Sequence, residues 1–155
     1  LPADIIVTAT GLDLLALGGM TLSVNGSPVV LRRTFSHRGM MLAGVPNFAY
    51  AFGYTHASWT LRAELATEQV VRVLRHLRGT GLRQCTPRAP NDLRTDRRLD
   101  FQPGYVLRNL HCFPKAGDQD PWRTPDNALL DRWRLRLAGL DDGTLVFGNP
   151  APRTV

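Results

Sequence analysis

The side chains with the widest chemical repertoire in this sequence of 155 residues are four histidines (His37, His56, His76, His111), two cysteines (Cys85, Cys112) and thirteen carboxylates. Their spacing excludes more than it offers. There is no C-x-x-C or H-x-x-x-H, and His111 and Cys112 are neighbours whose side chains diverge on an extended backbone, so no zinc site is expected. The same spacing rules out a Cys–His nucleophile, and a serine hydrolase would need a G-x-S-x-G elbow that does not occur. Asp141-Asp142 precedes Gly143 and reads as a turn former. No G-x-G-x-x-G is present to cradle a pyrophosphate, and Gly79-Thr80-Gly81 follows a helical pattern, where it acts as a stop. What remains is the turn at Gly53 and the polar stretch Tyr54-Thr55-His56-Ala57-Ser58 before a helix that opens at Trp59. Free backbone N–H groups and the positive end of that helix favour a negative charge placed against them.

The elements that must position this turn are legible as a strand, glycine turn, helix unit. Met40–Ala43 reads as a strand, Gly44–Asn47 as a turn and Phe48–Phe52 as a second strand with large and small residues alternating. From Trp59 to Arg78 the residues Leu61, Leu65, Val70, Val73, Leu74 and Leu77 fall near one face, Glu68 sits four before Arg72, and Gly79 supplies the stop. At ~1.5 Å per residue this helix is about 30 Å long, enough to cross the back of a sheet. Upstream, Asp4–Ala9 is a β-branched run expected as a core strand, closed by Thr10-Gly11. Leu12–Met20 ends in Gly18-Gly19 and reads as a loop or a single helical turn. Asn25-Gly26 predicts a hairpin joining Thr21–Val24 to Pro28–Leu31.

Downstream, residues 80–104 lose periodicity, gather Pro87, Pro90 and Pro103, and read as a surface loop or connector. Gly104-Tyr105-Val106 and a Pro-rich stretch lead to a helix with Thr124 as N-cap and Pro125 at its first position. Its Leu129, Leu130, Trp133 and Leu137 form one stripe expected to be buried. Thr144–Phe147 is the expected terminal strand.

Composition narrows the class. With 43% apolar residues the chain can bury one modest core, and it has no run near the ~18–20 apolar residues a membrane-spanning helix needs. It opens on Leu1-Pro2-Ala3 and reads as cut from something longer; with no basic segment ahead of an apolar one, a cytoplasmic setting and two free thiols are expected. Between Arg72 and Arg98 stand eight Arg against Asp92 and Asp96, which accounts for the whole net charge of +6. All but one of the 19 basic residues are Arg, a bias that a GC-rich coding sequence produces without selection for phosphate contacts. The stripe carries no Phe, Tyr or Trp to stack on bases, so a solvated basic face is preferred to a nucleic-acid site. A small basic nucleic-acid-binding or interaction module without catalysis stands as the alternative reading.

Several motifs in order carry a resemblance. Asp4-Ile5-Ile6-Val7-Thr8-Ala9-Thr10-Gly11-Leu12, then Arg38-Gly39-Met40-Met41-Leu42-Ala43-Gly44-Val45-Pro46-Asn47-Phe48-Ala49-Tyr50, then Gly53-Tyr54-Thr55-His56-Ala57-Ser58-Trp59-Thr60-Leu61 resemble the C-terminal part of flavin-dependent monooxygenases. The likeness is to the Baeyer–Villiger branch that includes the ethionamide-activating enzymes. Gly104-Tyr105-Val106-Leu107-Arg108, Pro114-Lys115, Pro121-Trp122 and Asp142-Gly143-Thr144-Leu145 follow that family's order. The resemblance implies an α/β fold: the C-terminal portion of an FAD/NAD(P)-binding, Rossmann-like domain over 1–79, a connector over 80–104 and a small extension over 105–155.

It also implies FAD and NADPH as cofactors, and places Thr10, Gly11, Gly53, Tyr54, Thr55, His56, Ala57 and Ser58 near the flavin. The helix N-terminus would face the electron-rich pyrimidine edge of the ring. His56 stands where the family implies Asn. The implied reaction is hydride transfer from NADPH to FAD, then capture of O2 as a flavin peroxide that oxygenates a small organic substrate at a ketone, sulfur or nitrogen. Both glycine-rich fingerprints and the active-site arginine of that family belong to the missing N-terminal part of the enzyme, so the isolated chain is expected to be inactive.

Overall fold

The computed structural model describes residues 2–11, 14–53, 58–96, 108–123 and 127–150. Asn25 and Gly26, with φ of 51° and 80°, make the expected hairpin turn between β1 (Ser23–Val24) and β2 (Ser27–Pro28). A second hairpin joins β3 (Ser36–His37) to β4 (Met41–Leu42) through Arg38 and Gly39, whose φ values are 50° and 62°. Phe48–Phe52 does not form a continuous strand. Ala49 makes one bridge to Met41, and the Tyr50 N–H donates to the Met40 carbonyl at 2.8 Å.

The amphipathic run becomes α1 (Trp59–Thr80), starting where the periodicity starts. It runs past Gly79 and stops at Gly81, whose φ of 71° is the left-handed cap that a side chain resists. Residues 82–96 are not all surface loop. Gln84–Pro87 forms β5, with Cys85, Thr86 and Pro87 buried, because the chain's last strand, β6 (Leu145–Gly148), returns to pair with it antiparallel from Gln84–Gly148 to Pro87–Leu145. Met40, Met41, Ala66, Val73, Cys85 and Leu145 form the core cluster between α1, β4 and this pair, with Leu77, Leu140 and Phe147 packed against it.

Asp4–Ala9 is not a core strand. The segment makes no strand pairing, and Ile5, Ile6 and Val7 are 82%, 81% and 85% exposed. A buried strand must hand its N–H and C=O groups to neighbours, and the described residues offer none there. The second helix, α2 (Ala128–Leu137), also departs from expectation. Its N-cap is Asn127, whose side chain accepts from the N–H groups of Leu129 and Leu130; Thr124 and Pro125 lie outside the described residues. The stripe of Leu129, Leu130, Trp133 and Leu137 faces outward, while Asp131 and Leu135 are buried.

Polar contacts turn α2 this way. Gln69 Nε2 and Arg72 Nη1 both donate to the Leu135 carbonyl, at 2.6 and 2.8 Å, and Arg72 Nη2 donates to the Ala138 carbonyl at 2.7 Å. Arg72 thus serves the C-terminal carbonyls of α2, where the helix dipole welcomes a cation, and not Glu68. Glu68 instead accepts from Arg136 across the two helices at 3.0 Å.

The described residues thus form a small α/β arrangement of two helices and three two-stranded antiparallel sheets, with Phe35 and Lys115 bridging in parallel. No helix among them is long and apolar enough to cross a membrane.

Candidate functional site

The opening of α1 is where sequence and structure both point to an anion-favouring group. Ser58 sits at the N-cap with φ −59° and ψ 130°, yet its hydroxyl makes no capping bond; it meets Thr60 Oγ1 at 2.6 Å. No acidic residue lies in the first turn. Among the described residues, then, neither the Ser58 hydroxyl nor a carboxylate of the first turn serves the first N–H groups of the helix. Beside this end, Phe52 packs on Trp59 and Phe113 at ring separations of 5.1 and 5.5 Å.

Gly53 has a structural duty in this cluster. A Cβ built on it would overlap the Trp59 indole, so glycine here lets the ring lie against the backbone. Gly53→Ala is expected to push the indole off at a cost of about 0.5–1 kcal/mol, less than overpacking a closed core, because Trp59 is 59% exposed and can swing into solvent. A urea titration read by tryptophan fluorescence checks this, and an unchanged midpoint would show that the ring is not held there.

Of the other expected cofactor contacts, Thr10 and Gly11 lie in the exposed N-terminal segment, with Gly11 at φ 92°, open to glycine but costly for a side chain. Tyr54, Thr55, His56 and Ala57 lie outside the described residues. Among the described residues no hydrogen bond joins Thr10 or Gly11 to Gly53 or Ser58. Among them, too, no three His, Cys, Asp or Glu residues gather in a way that could hold a metal ion. Both cysteines are free, and burial pushes the Cys85 thiol up to about 11, so it stays protonated.

Sequence reasoning passed over a buried polar hub at the β3–β4 turn. Arg38 Nη2 donates to Asp142 Oδ2 at 2.6 Å and to the Gly139 carbonyl at 2.8 Å. Thr144 donates its hydroxyl proton to Asp142 Oδ1 at 2.5 Å, so its oxygen must accept at 2.8 Å from His37 Nε2, which fixes the tautomer of that ring. His37 also meets Trp122 edge-on at 4.9 Å. Burial first, and then the charge of Arg38, push His37 down to about 3 against the opposing pull of Asp142. Burial would raise Asp142, but the hydrogen bonds from Thr144 and Arg38 outweigh it and hold the carboxyl below its ordinary value.

Arg62, on α1, donates to the Arg38 carbonyl and pairs with Asp131 of α2. Gly39 leaves room for that guanidinium, which a Cβ there would strike. One turn thereby ties both helices to the loop before β6. The one local signal was Gly39, since Arg38 at φ 50° is a residue type that disfavours positive φ and so did not mark the turn.

No family model matches the chain, and no solved structure matches it. Curated proteins do. The FAD-containing monooxygenase EthA of Mycobacterium tuberculosis (strain H37Rv) is 45% identical over 154 residues, 98% of this chain and 32% of its own length. The putative FAD-containing monooxygenase MymA of the same strain is 39% identical over 151 residues, 96% of this chain and 30% of its own. The probable FAD-binding monooxygenase AlmA of Acinetobacter baylyi is 36% identical over 149 residues, 95% and 30% respectively. The chain spans about a third of the length of the curated relatives it matches. Over nearly all of its residues, then, this chain is similar to one segment of FAD-containing monooxygenases.

Proposed function

We propose that the chain is the C-terminal part of a cytoplasmic FAD- and NADPH-dependent monooxygenase of Baeyer–Villiger type. Such an enzyme inserts one atom of O2 into a ketone or a sulfur or nitrogen centre of a small organic substrate. The observation that carries the reading is the match to three differently named FAD proteins over 95–98% of this chain. The residues present fit the cofactor at one point: among the described residues the α1 N-terminus has no acidic group in its first turn and no cap from Ser58, which favours a partner with negative charge.

In this reading residues 1–79 complete an FAD-binding, Rossmann-like domain, β5 and β6 pack onto its core, and the rest of 105–155 extends it. The backbone of Thr10, Gly11 and the segment Gly53, Tyr54, Thr55, His56, Ala57 and Ser58 would hold the flavin. FAD supplies the hydride and oxygen-transfer chemistry. The chain's own part is to present amides without a competing carboxylate, and to keep α1 fixed through Arg62, Arg38 and Asp142.

Titration of FAD into the 155-residue chain, and into the longer polypeptide that carries it, tests the reading. The long form should bind flavin stoichiometrically and consume NADPH with O2, and the short form should bind weaker than the micromolar range. A long form that holds no flavin contradicts the proposal, and micromolar binding by the short chain contradicts the claim that its site is incomplete.

A further inference from the structure

Between the β3–β4 turn, the chain around Pro121 and the C-terminal end of α2 lies a cleft of about 420 Å³, apart from the opening of α1. That volume suits a small organic molecule. Four arginines line it, Arg38, Arg62, Arg123 and Arg134, against three aspartates. Arg38 is paired with Asp142, Arg62 with Asp131 and Arg134 with Asp120, so each of these carboxylates already has its cation. Arg123 pairs with no carboxylate among the described residues, and its Nη2 donates to the Asp118 carbonyl. The walls therefore carry one positive charge in excess.

The hydrogen-bond donors lead to the same ligand. Arg38 is 3% exposed; its Nη2 serves Asp142 and the Gly139 carbonyl, but its Nε and Nη1 have no partner among the described residues, and neither has Nε of Arg123. Buried polar groups are nearly always satisfied, so donors left over beside a cleft mark where an acceptor belongs. A guanidinium holds its donors in a fixed fork that matches the paired oxygens of a carboxylate or phosphate. Pro121, Leu135 and Ala138 add apolar wall that a bare ion would leave uncovered.

We propose that this cleft binds a small organic oxyanion, its phosphate or carboxylate on Arg38 and Arg123 and its apolar body against Pro121, Leu135 and Ala138. Such a molecule supplies the absent charge and the absent acceptors together. It sits where α1, α2 and the loop before β6 meet, so its binding stiffens the contacts of Arg62 with the Arg38 carbonyl and Asp131. The site is separate from the flavin reading and stands without it.

The probes are phenyl phosphate and benzoate, with phenol as the uncharged control. Titrated calorimetrically into the 155-residue chain at physiological ionic strength, at least one anion should fill one site per chain with Kd below about 1 mM, and phenol should bind at least about tenfold more weakly. At ten times Kd the anion should raise the melting temperature by about 3–6 °C. Arg123→Gln, which leaves no described carboxylate unpaired, should weaken binding at least about tenfold while keeping the circular dichroism. Ala138→Asp, which sets a carboxylate in the cleft, should do the same. Arg75→Gln removes an exposed charge of α1 outside the cleft and should bind as the parent chain does. No saturable binding overturns the proposal. So does equal weakening by Arg75→Gln, which would assign the attraction to net charge. The longer polypeptide that carries this chain should bind the same anion; binding lost there would show that one of its own carboxylates fills the cleft, and overturns the proposal too.

Discussion

Asp131→Ala is expected to lower the folding free energy by about 3–5 kcal/mol, the usual cost of removing one partner of a buried ion pair. The side chains of Arg62 and Asp131 are both buried where α1 crosses α2. Without the carboxylate, the guanidinium keeps the Arg38 carbonyl as acceptor but loses the carboxylate it pairs with across the helices. Since a domain is stable by only ~5–15 kcal/mol in all, the variant should sit near its unfolding midpoint in little or no urea. The double variant Arg62→Met/Asp131→Leu should be less damaged than Asp131→Ala alone, because it buries no charge at all. A urea titration of the three chains checks this, and a loss below ~1 kcal/mol for Asp131→Ala would show that the pair is solvated in solution.

Stability should also fall on acidification, starting well above the range where carboxylates titrate. His37 titrates at about 3 when folded and near 6.5 when unfolded. Above pH 6.5 neither state binds the proton and the native state has its full stability. As pH falls below 6.5 the unfolded chain takes up a proton that the folded one refuses, removing ~1.4 kcal/mol per pH unit until the folded value is reached. Asp142 adds a loss only lower down, since its folded value is depressed and its contribution is present above about 3.8. His37→Gln keeps a donor for Thr144 but cannot titrate. Its stability should therefore be flatter with pH between 6.5 and 4 than that of the parent chain, and equal slopes would mean that His37 is not held neutral.

Local signals foretold local structure. α1 was legible from Trp59 because six apolar residues at helical spacing leave little choice, and Asn25-Gly26 specified its turn through the φ values it tolerates. The errors lie where a segment's neighbour decides. Periodicity marks the apolar stripe of α2 but not the direction in which it faces, and the buried contacts of Arg62, Gln69 and Arg72 turned it outward. Asp4–Ala9 has the composition of a core strand, yet composition brings no partner, and none pairs with it among the described residues. The strand inside 80–104 was hidden by its short length and by Pro87, and became visible only through pairing with β6, about sixty residues on. Of the candidate site, the start of α1 at Trp59 was foreseeable. The hub of His37, Arg38, Asp142 and Thr144 was not, since His37 and Thr144 stand 107 residues apart.

Ser58→Asp bears most directly on the cofactor-facing role of α1. A carboxylate at the N-cap serves the free amides and favours the helix by about 0.5–1 kcal/mol, so thermal stability should rise. If those amides face an electron-rich flavin, the same carboxylate competes with it, and FAD affinity of the flavin-binding polypeptide that contains this chain should fall at least ~10-fold. Opposite signs in the two measurements are the predicted result. A variant that gains stability and holds FAD as tightly as before would show that the opening of α1 is a helix end and nothing more.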